Sequence, residues 1–201
     1  ALNHAVQTTF NRISIDQHTS PSDMVLILAN AEAGNPSIKI NSPALRKFQV
    51  ALTNLCSDLA YQIVQDGEGA TKVFRVRVRG ARNQEDADRI AKTIVDSPLV
   101  KTAIHGADPN WGRITTAAGN SGAVIDPARM SLSIGDVKGV SVFSRGRPVD
   151  LPPKIMRKLN RIMAGRHILF TLHIGIGKAT TEWLGCDLSS QYVTINADYT
   201  T

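Results

Sequence analysis

One stretch of the chain reads Val73-Phe74-Arg75-Val76-Arg77-Val78-Arg79-Gly80, with apolar and basic side chains alternating from Phe74 to Arg79. Because successive side chains of a β-strand point to opposite faces, this pattern predicts a strand with its apolar residues buried and its arginines on the other face. The glycine-rich residues 66–72 come directly before it, and a strong helical pattern ends where they begin. A helix, a turn and a strand are therefore expected in succession.

Helices are predicted on both sides of this strand. The first begins at Ser42-Pro43, where Ser is a suitable N-cap and Pro suits the first helical position, and it ends at Asp66-Gly67. The apolar residues assigned to its buried face recur at helical spacing: Leu45, Phe48, Leu52, Leu55, Leu59, Ile63 and Val64. Further helices are expected over residues 85–95, 109–119 and 152–165, and Asp187 or Ser189 is expected to cap a last one.

The remaining apolar segments are short and bounded by turn residues, which predicts strands. They cover residues 10–15, 24–29, 130–134, 139–143, 167–174 and 180–184. The run 24–29 is continuously apolar and is expected to be buried on both faces. Helices and strands thus alternate without repeats, which predicts an α+β (mixed α/β) fold built in layers.

Composition limits the class of protein. The 201 residues are 42% apolar and carry a net charge of +6, which excludes a disordered polymer, a collagen-like fibre and a disulfide-stapled miniprotein. Cys56 and Cys186 have no nearby partner, which favours a reducing intracellular compartment. The apolar runs are shorter than the ~20 residues of a membrane span, so no membrane partner is expected. The chain opens at Ala1 without Met, and we expect a processed or incomplete chain.

Several chemistries are disfavoured by the spacing of residues. The segment 175–180 lacks the first Gly of a phosphate loop and has Ala179 after Lys178. The five His form no metal-ligand pattern, so no metal site is predicted. Basic residues on strand 73–80 and helix 152–165 are interpreted as solvated faces, because no aromatic residues interleave them. A basic nucleic-acid-binding module stays a competing class of protein only because of the net charge of +6. The prediction itself is that the chain has no nucleic-acid partner.

Three segments combine glycine with polar residues. In residues 66–72, Glu68 lies between two glycines and is suited either to a plain turn or to holding a substrate ammonium group. Residues 105–113 suit either an anion site at a helix start or a capped helix whose Trp111 packs inward. The third segment is the tail, residues 185–201. Its apolar residues are expected to pack the tail onto the rest of the chain and so bring Asn196 and the terminal Thr residues to a site.

Taken together, these segments resemble the ornithine acetyltransferase (glutamate N-acetyltransferase) family, in particular its β chain. The resemblance runs along essentially the whole sequence and is carried by ordered motifs in residues 10–13, 66–72, 97–103, 108–114, 185–188 and 196–199. Each motif is modest alone, and their order makes the match specific.

The resemblance implies an enzyme of arginine biosynthesis whose precursor cleaves itself before a Thr. That Thr becomes the nucleophile of the β chain, accepts acetyl from N2-acetyl-L-ornithine and passes it to L-glutamate. No catalytic residue is expected in this chain itself, because Ala1 has no hydroxyl and the nucleophilic Thr is expected upstream of it. Oxyanion donors are expected on the separate α chain. No cofactor is expected, and whether acetyl-CoA also serves as a substrate is left open.

The resemblance further assigns substrate-binding roles to Glu68, Asn196 and Thr201. It implies a layered αββα sandwich with a smaller α/β lobe, and a cytoplasmic α2β2 heterotetramer of two α and two β chains. Residues 1–82 and 166–201 are assigned to the sandwich, and 83–165 to the lobe. The nearest rival is an N-terminal-nucleophile amidohydrolase or aminopeptidase on a similar scaffold, which would pass the acyl group to water.

Overall fold

The computed structural model of the chain describes residues 1–136 and 139–198. Within them, the α-helices are α1 (Leu2–Thr8), α2 (Pro43–Gln65), α3 (Gln84–Asp96), α4 (Pro98–His105), α5 (Trp111–Gly119), α6 (Pro153–Met163) and α7 (Ser190–Asp198). The strands are β1 (Ile13–Ser14), β2 (Val73–Ala81), β3 (Ser131–Ile134), β4 (Val140–Ser144), β5 (Arg147–Pro148), β6 (His167–His173) and β7 (Ala179–Cys186).

The strands form one mixed sheet in the order β1-β7-β2-β6-β3-β4-β5. Strand β2 lies near its centre, parallel to β6 and antiparallel to β7. Val73 is opposite His167 on one side and Cys186 on the other, so the first residue of β2 is level with the last residue of β7. The mixed α/β class predicted from the sequence is confirmed.

Strand β2 has the two faces that its alternation predicts. Phe74, Val76 and Val78 are fully buried in the main hydrophobic core, which also contains the apolar face of α3. On the opposite face, Arg75 and Arg77 both pair with Glu182 of β7. Burial of large apolar side chains contributes about 1.5–3 kcal/mol each, so this strand anchors the sheet to its helices.

Helix α2 begins and ends where the sequence indicates. The Ser42 hydroxyl accepts a hydrogen bond from the Leu45 N–H, Pro43 occupies the first turn, and the helix is capped at Asp66. This places the glycine-rich segment directly between α2 and β2. Helix α3 is likewise capped by Asn83, whose side chain accepts from the Asp86 N–H.

Two assignments of buried apolar residues are wrong. Residues 24–29 form no strand, and Leu28 is 92% exposed. On α2, only Cys56, Ala60 and Val64 are buried, whereas four residues assigned inward are exposed: Phe48, Leu55, Leu59 and Ile63. Periodicity correctly indicated an apolar stripe, but it carries no information on whether this chain alone covers the stripe.

Smaller differences concern element boundaries. The strand expected over 10–15 is a 3-10 turn at Phe10–Arg12 followed by the two-residue β1. Helix α4 was not expected, because Ser97-Pro98 was interpreted only as the end of α3; Ser97 also caps α4, accepting from the Val100 N–H.

The division into a sandwich and a lobe stays a prediction. Strands β3 to β5 come from the segment 83–165, and β3 pairs with β6 in the same sheet as β2. The second sheet of an αββα sandwich also stays a prediction, since the described strands form a single sheet. None of the helices in the described ranges is long and apolar enough to cross a membrane.

Candidate functional site

The segment between α2 and β2, residues 66–72, lies directly against the start of α7. Gly69 has a φ of +66°, which favours glycine. A Cβ built on Gly69 would lie 2.6 Å from the backbone nitrogen of Tyr192 and 2.9 Å from Oγ of Ser189. Only glycine lets the two backbones approach this closely, so the conformation of the segment is matched to the position of α7.

Glu68 and Asn196 meet at the exposed end of this contact. The Nδ2 amide of Asn196 donates to Oε2 of Glu68 at 2.5 Å and to the Tyr192 carbonyl at 3.0 Å. Both side chains are exposed, which leaves the pair accessible to a ligand. The structure therefore brings together two of the three predicted substrate-binding residues. The third, Thr201, lies outside the described residues.

Tyr192 connects this pair to the beginning of the chain. Its hydroxyl donates to Oδ2 of Asp16 at 3.2 Å. Partial burial and the neighbouring Asp16 carboxylate raise the pKa of Tyr192, so the phenol keeps its proton and acts as a donor. This hydrogen bond ties α7 to the turn that follows β1.

Asp187 lies beneath the segment as a fully buried carboxylate. Its Oδ1 accepts from the backbone N–H groups of Thr71 and Lys72, both at 2.8 Å. Its Oδ2 accepts from the Thr71 hydroxyl at 2.6 Å and lies 2.7 Å from Nδ1 of His105. Burial alone would raise the pKa of Asp187, but the hydrogen bonds from Thr71 and His105 outweigh it and hold this pKa below its ordinary value. Asp187 is therefore ionised at neutral pH.

Two lysines tie the same region to the helices beside it. Nζ of Lys72 donates to the carbonyls of Ile104 and Met163, at 2.8 and 3.0 Å. Nζ of the buried Lys101 donates to the Cys186 carbonyl. Burial lowers the pKa of Lys101. Both amines are thus engaged with backbone carbonyls that flank the site.

The thiol of Cys186 is a buried neighbour of this network. Burial is the largest effect on it and raises its pKa, so the group is a neutral thiol at neutral pH. A neutral thiol lacks the reactivity of a thiolate nucleophile.

The second glycine-containing segment contains a capped helix. The Asn110 side chain accepts from the Arg113 N–H at the start of α5, and Trp111 stacks on Phe143 with ring centroids 5.1 Å apart. Nη1 of Arg113 donates to the Leu99 carbonyl at 2.8 Å. Of the two alternatives, the structure favours the capped helix with an inward Trp over an anion site.

Other features of the described residues do not join the site. An open groove of about 680 Å³ lies on the arginine face of the sheet, and Tyr61, Arg75 and Arg161 are among the residues that line it; Glu68 and Asn196 do not. Within residues 1–136 and 139–198, no group of three or more His, Cys, Asp or Glu is arranged to hold a metal ion. The absence of a cofactor stays a prediction.

Sequence reasoning missed the part played by Asp187. Either Asp187 or Ser189 was expected to cap the last helix, whereas both side chains bind the segment 69–72. The signal was the antiparallel pairing of β2 with β7, because Val73 opposite Cys186 puts Lys72, which precedes β2, beside Asp187, which follows β7. His105, the last residue of α4, reaches the site through Asp187.

Comparisons with known proteins agree on one family. The ArgJ family model matches residues 1–201. The arginine biosynthesis bifunctional protein ArgJ of Dehalococcoides mccartyi is 42% identical over 201 residues, which cover all of this chain and 48% of that protein. The glutamate N-acetyltransferase of Methanosarcina acetivorans is 46% identical over 205 residues, which cover all of this chain and 50% of that protein.

A solved structure supports the same relationship. The crystal structure of the arginine biosynthesis bifunctional protein argJ from Bacillus halodurans superposes with a TM-score of 0.91 at 39% sequence identity. The match covers 98% of this chain and 91% of that chain. The chain spans about half the length of the curated relatives it matches.

Proposed function

The chain belongs to the ArgJ family, and from this premise we propose that it is the β-chain part of a glutamate N-acetyltransferase of arginine biosynthesis. The enzyme moves acetyl from N2-acetyl-L-ornithine to L-glutamate. The name of the Methanosarcina acetivorans relative supports acetyl transfer to glutamate, and acetylornithine is proposed as the donor from the resemblance. The single structural observation that carries the proposal is the contact between Glu68 and Asn196, whose side chains suit a diamino acid.

Glu68 and Asn196 bind the substrate in this proposal. Ornithine carries ammonium and carboxylate groups, and a carboxylate such as Glu68 holds an ammonium by a charge-assisted hydrogen bond. The Asn196 amide keeps Glu68 oriented in the free protein and offers both a donor and an acceptor to the ligand. Thr201 is assigned to the same site from the resemblance.

The acetyl group moves in two half-reactions. The hydroxyl oxygen of a Thr upstream of Ala1 attacks the acetyl carbonyl, the amide C–N bond breaks, and ornithine leaves with the proton of the hydroxyl. The amine of glutamate then attacks the acetyl-Thr ester, and the Thr hydroxyl regains a proton as acetylglutamate leaves. Donors on the α chain stabilise the oxyanion in both steps. Self-cleavage of the precursor before that Thr frees the nucleophile.

The α chain is the partner that this proposal requires. Exposed apolar residues of α2 and of the segment 24–29 support a second chain, since exposed apolar patches commonly mark protein interfaces. The side chains concerned are Phe48, Leu55, Leu59, Ile63, Met24, Leu26 and Leu28. We further propose that two α and two β chains assemble into a heterotetramer in the cytoplasm.

No cofactor is proposed for the transfer, because the acyl-enzyme itself conserves the acetyl group. Acetyl-CoA is proposed only as an alternative acetyl donor to the same Thr, following the word "bifunctional" in the names of relatives. It would be a substrate and would leave as the free thiol. The test is acetylation of glutamate with acetyl-CoA in the absence of acetylornithine.

An assay of the full protein tests the main activity. With acetylornithine and glutamate together, we expect ornithine and acetylglutamate in equal amounts, and with acetylornithine alone only one acetyl group retained per active site. Release of ornithine and acetate without glutamate would identify an amidohydrolase and contradict the transferase. Mass spectrometry of the protein after acetylornithine alone would detect the acetyl-Thr intermediate.

A further inference from the structure

Asp187 is a buried ionised group to which the proposed reaction assigns no role. The residue is 2% exposed, and a buried carboxylate is stable only when its oxygens are hydrogen-bonded. Three of its bonds come from two adjacent residues, Thr71 and Lys72, which lead from the glycine-rich segment into β2. The carboxylate thus binds the backbone and side chain of that segment from below.

The backbone of Asp187 makes a matching contact. Its N–H donates to the Lys72 carbonyl at 3.1 Å, which continues the β2–β7 ladder one step beyond Cys186. The residue is therefore fixed in register, and its side chain cannot shift without disturbing the strand ends. Asp187 is therefore a rigid structural support for residues 71–72.

Ser189 holds the other end of the segment. Its hydroxyl donates to the Gly69 carbonyl at 2.6 Å, and Gly69 in turn packs against the Tyr192 backbone. Two residues that come just before α7 therefore hold positions 69 and 71–72. Glu68 directly precedes Gly69 in the chain, and its carboxylate accepts a hydrogen bond from Asn196, which lies further along α7.

We propose that Asp187 is a positioning residue: with Ser189, it fixes residues 69–72 against the first turn of α7 and so sets the separation of Glu68 and Asn196. This inference rests on the proposed function, because the pair matters for activity only if it binds acetylornithine. Asp187 touches no substrate and acts through the backbone of the segment that carries Glu68.

The first test is Asp187→Asn in the full protein, assayed together with the proposed α chain. Asn is uncharged and has one acceptor oxygen instead of two, so the hydrogen bonds from the Thr71 and Lys72 amides become weaker and the Thr71 hydroxyl and His105 lose their acceptor. We expect KM for acetylornithine to rise about tenfold with kcat changed less than about twofold, because misplaced binding groups weaken ground-state and transition-state binding alike.

Asp88→Asn is the matched control. Asp88 also accepts several side-chain hydrogen bonds, including those of Thr181 and Trp183, and these hydrogen bonds hold its pKa below the ordinary value against the opposing effect of burial. It lies on α3, and its hydrogen-bond partners lie outside the segment 66–72. Asp88→Asn is expected to reduce stability and leave KM unchanged.

Hydrogen exchange provides a readout that does not depend on activity. The amides of Thr71 and Lys72 donate to Asp187, so their exchange should accelerate in Asp187→Asn and stay at the wild-type rate in Asp88→Asn. Ser189→Ala is the second variant, and it should accelerate exchange in residues 69–72 and raise KM even if Asp187→Asn does not fold.

The outcomes separate this inference from the proposed function. If folded Asp187→Asn has wild-type KM, or wild-type exchange at Thr71 and Lys72, the inference is overturned. If Asp187→Asn does not fold, unchanged KM and exchange in Ser189→Ala overturn it. If the wild-type protein makes no acetylglutamate, the proposed function fails, and the exchange rates alone decide whether Asp187 positions the segment.

Discussion

The Asn196 amide donates a hydrogen bond to the Glu68 carboxylate although 128 residues separate the two in the chain. The contact depends on three elements, since α2 ends at Asp66, the segment 66–72 turns at Gly69, and α7 follows β7 directly. An exposed pair of this kind gains little stability from one hydrogen bond, about 0.5–1.5 kcal/mol. Stability therefore does not account for this contact, and we propose that it serves ligand binding.

Removal of the carboxylate tests the role of Glu68. Glu68→Ala should raise KM for acetylornithine at least tenfold (about 1.4 kcal/mol) and leave the melting temperature unchanged, because the side chain is exposed. Steady-state kinetics measures the effect. Glu85→Ala is the control, since Glu85 is also an exposed glutamate but pairs with Arg89 on α3. Equal KM in both variants would remove Glu68 from the site.

Asn196 offers a test of charge. Asn196→Ala removes a partner of Glu68, whereas Asn196→Asp puts a second carboxylate beside it. Two like charges at this distance repel, so Asn196→Asp should displace Glu68 and raise KM for acetylornithine more than Asn196→Ala does. A smaller effect for Asn196→Asp would show that the second carboxylate helps to bind the ammonium groups and would contradict the assigned geometry.

Gly69 is expected to be intolerant of any side chain. Gly69→Ala should lower the free energy of unfolding more than Gly122→Ala does, as measured by urea titration. Both glycines have a left-handed φ, +66° and +70°, and alanine there costs about 1–2 kcal/mol at either position. Only at Gly69 would the Cβ also meet the Tyr192 backbone, whereas Gly122 has open space. Equal losses would mean that α7 is not packed against the segment.

Asp187 should make stability depend on pH in a defined direction. Its pKa is lowered in the folded protein, so its contribution is present above the unfolded pKa of about 4 and is lost as the pH falls through the lower folded value. Asn does not titrate. The difference in unfolding free energy between wild type and Asp187→Asn should therefore be constant from about pH 7 to 5 and shrink below about pH 4. A difference that persists unchanged at about pH 3 would contradict this assignment.

The exposed stripe of α2 is expected to bind the α chain. Leu55→Lys combined with Leu59→Lys should prevent co-purification of the two chains after co-expression, because burying uncompensated charge at an interface is unfavourable. Asn54→Lys, at an exposed polar position of the same helix, is the control and should co-purify normally. Normal assembly of the double variant would place the α chain elsewhere.

Local patterns predicted most elements of the fold from the sequence. The alternation of β2, the Ser42 cap of α2 and the short apolar runs of β3 and β4 depend on neighbouring residues, and the structure confirms them. Residues 24–29 were assigned wrongly, since an apolar run reveals only that a surface tends to be covered. In a chain that spans half of its relatives, that cover need not come from the chain itself.

The site was predictable only in part for a similar reason. Glu68 and Asn196 were identified through the resemblance, whereas no spacing within the sequence indicates that their side chains meet. The bonds of Asp187 to Thr71 and Lys72 join residues 116 and 115 positions apart, and no local pattern encodes them. They follow from the pairing of β2 with β7, which depends on how the whole sheet is ordered.

A crystal structure of the full protein with ornithine bound tests the central claim most directly. We expect a substrate ammonium group within hydrogen-bonding distance of Glu68 and the Asn196 side chain in contact with the same molecule. Ornithine bound at a place that neither residue reaches would contradict the account.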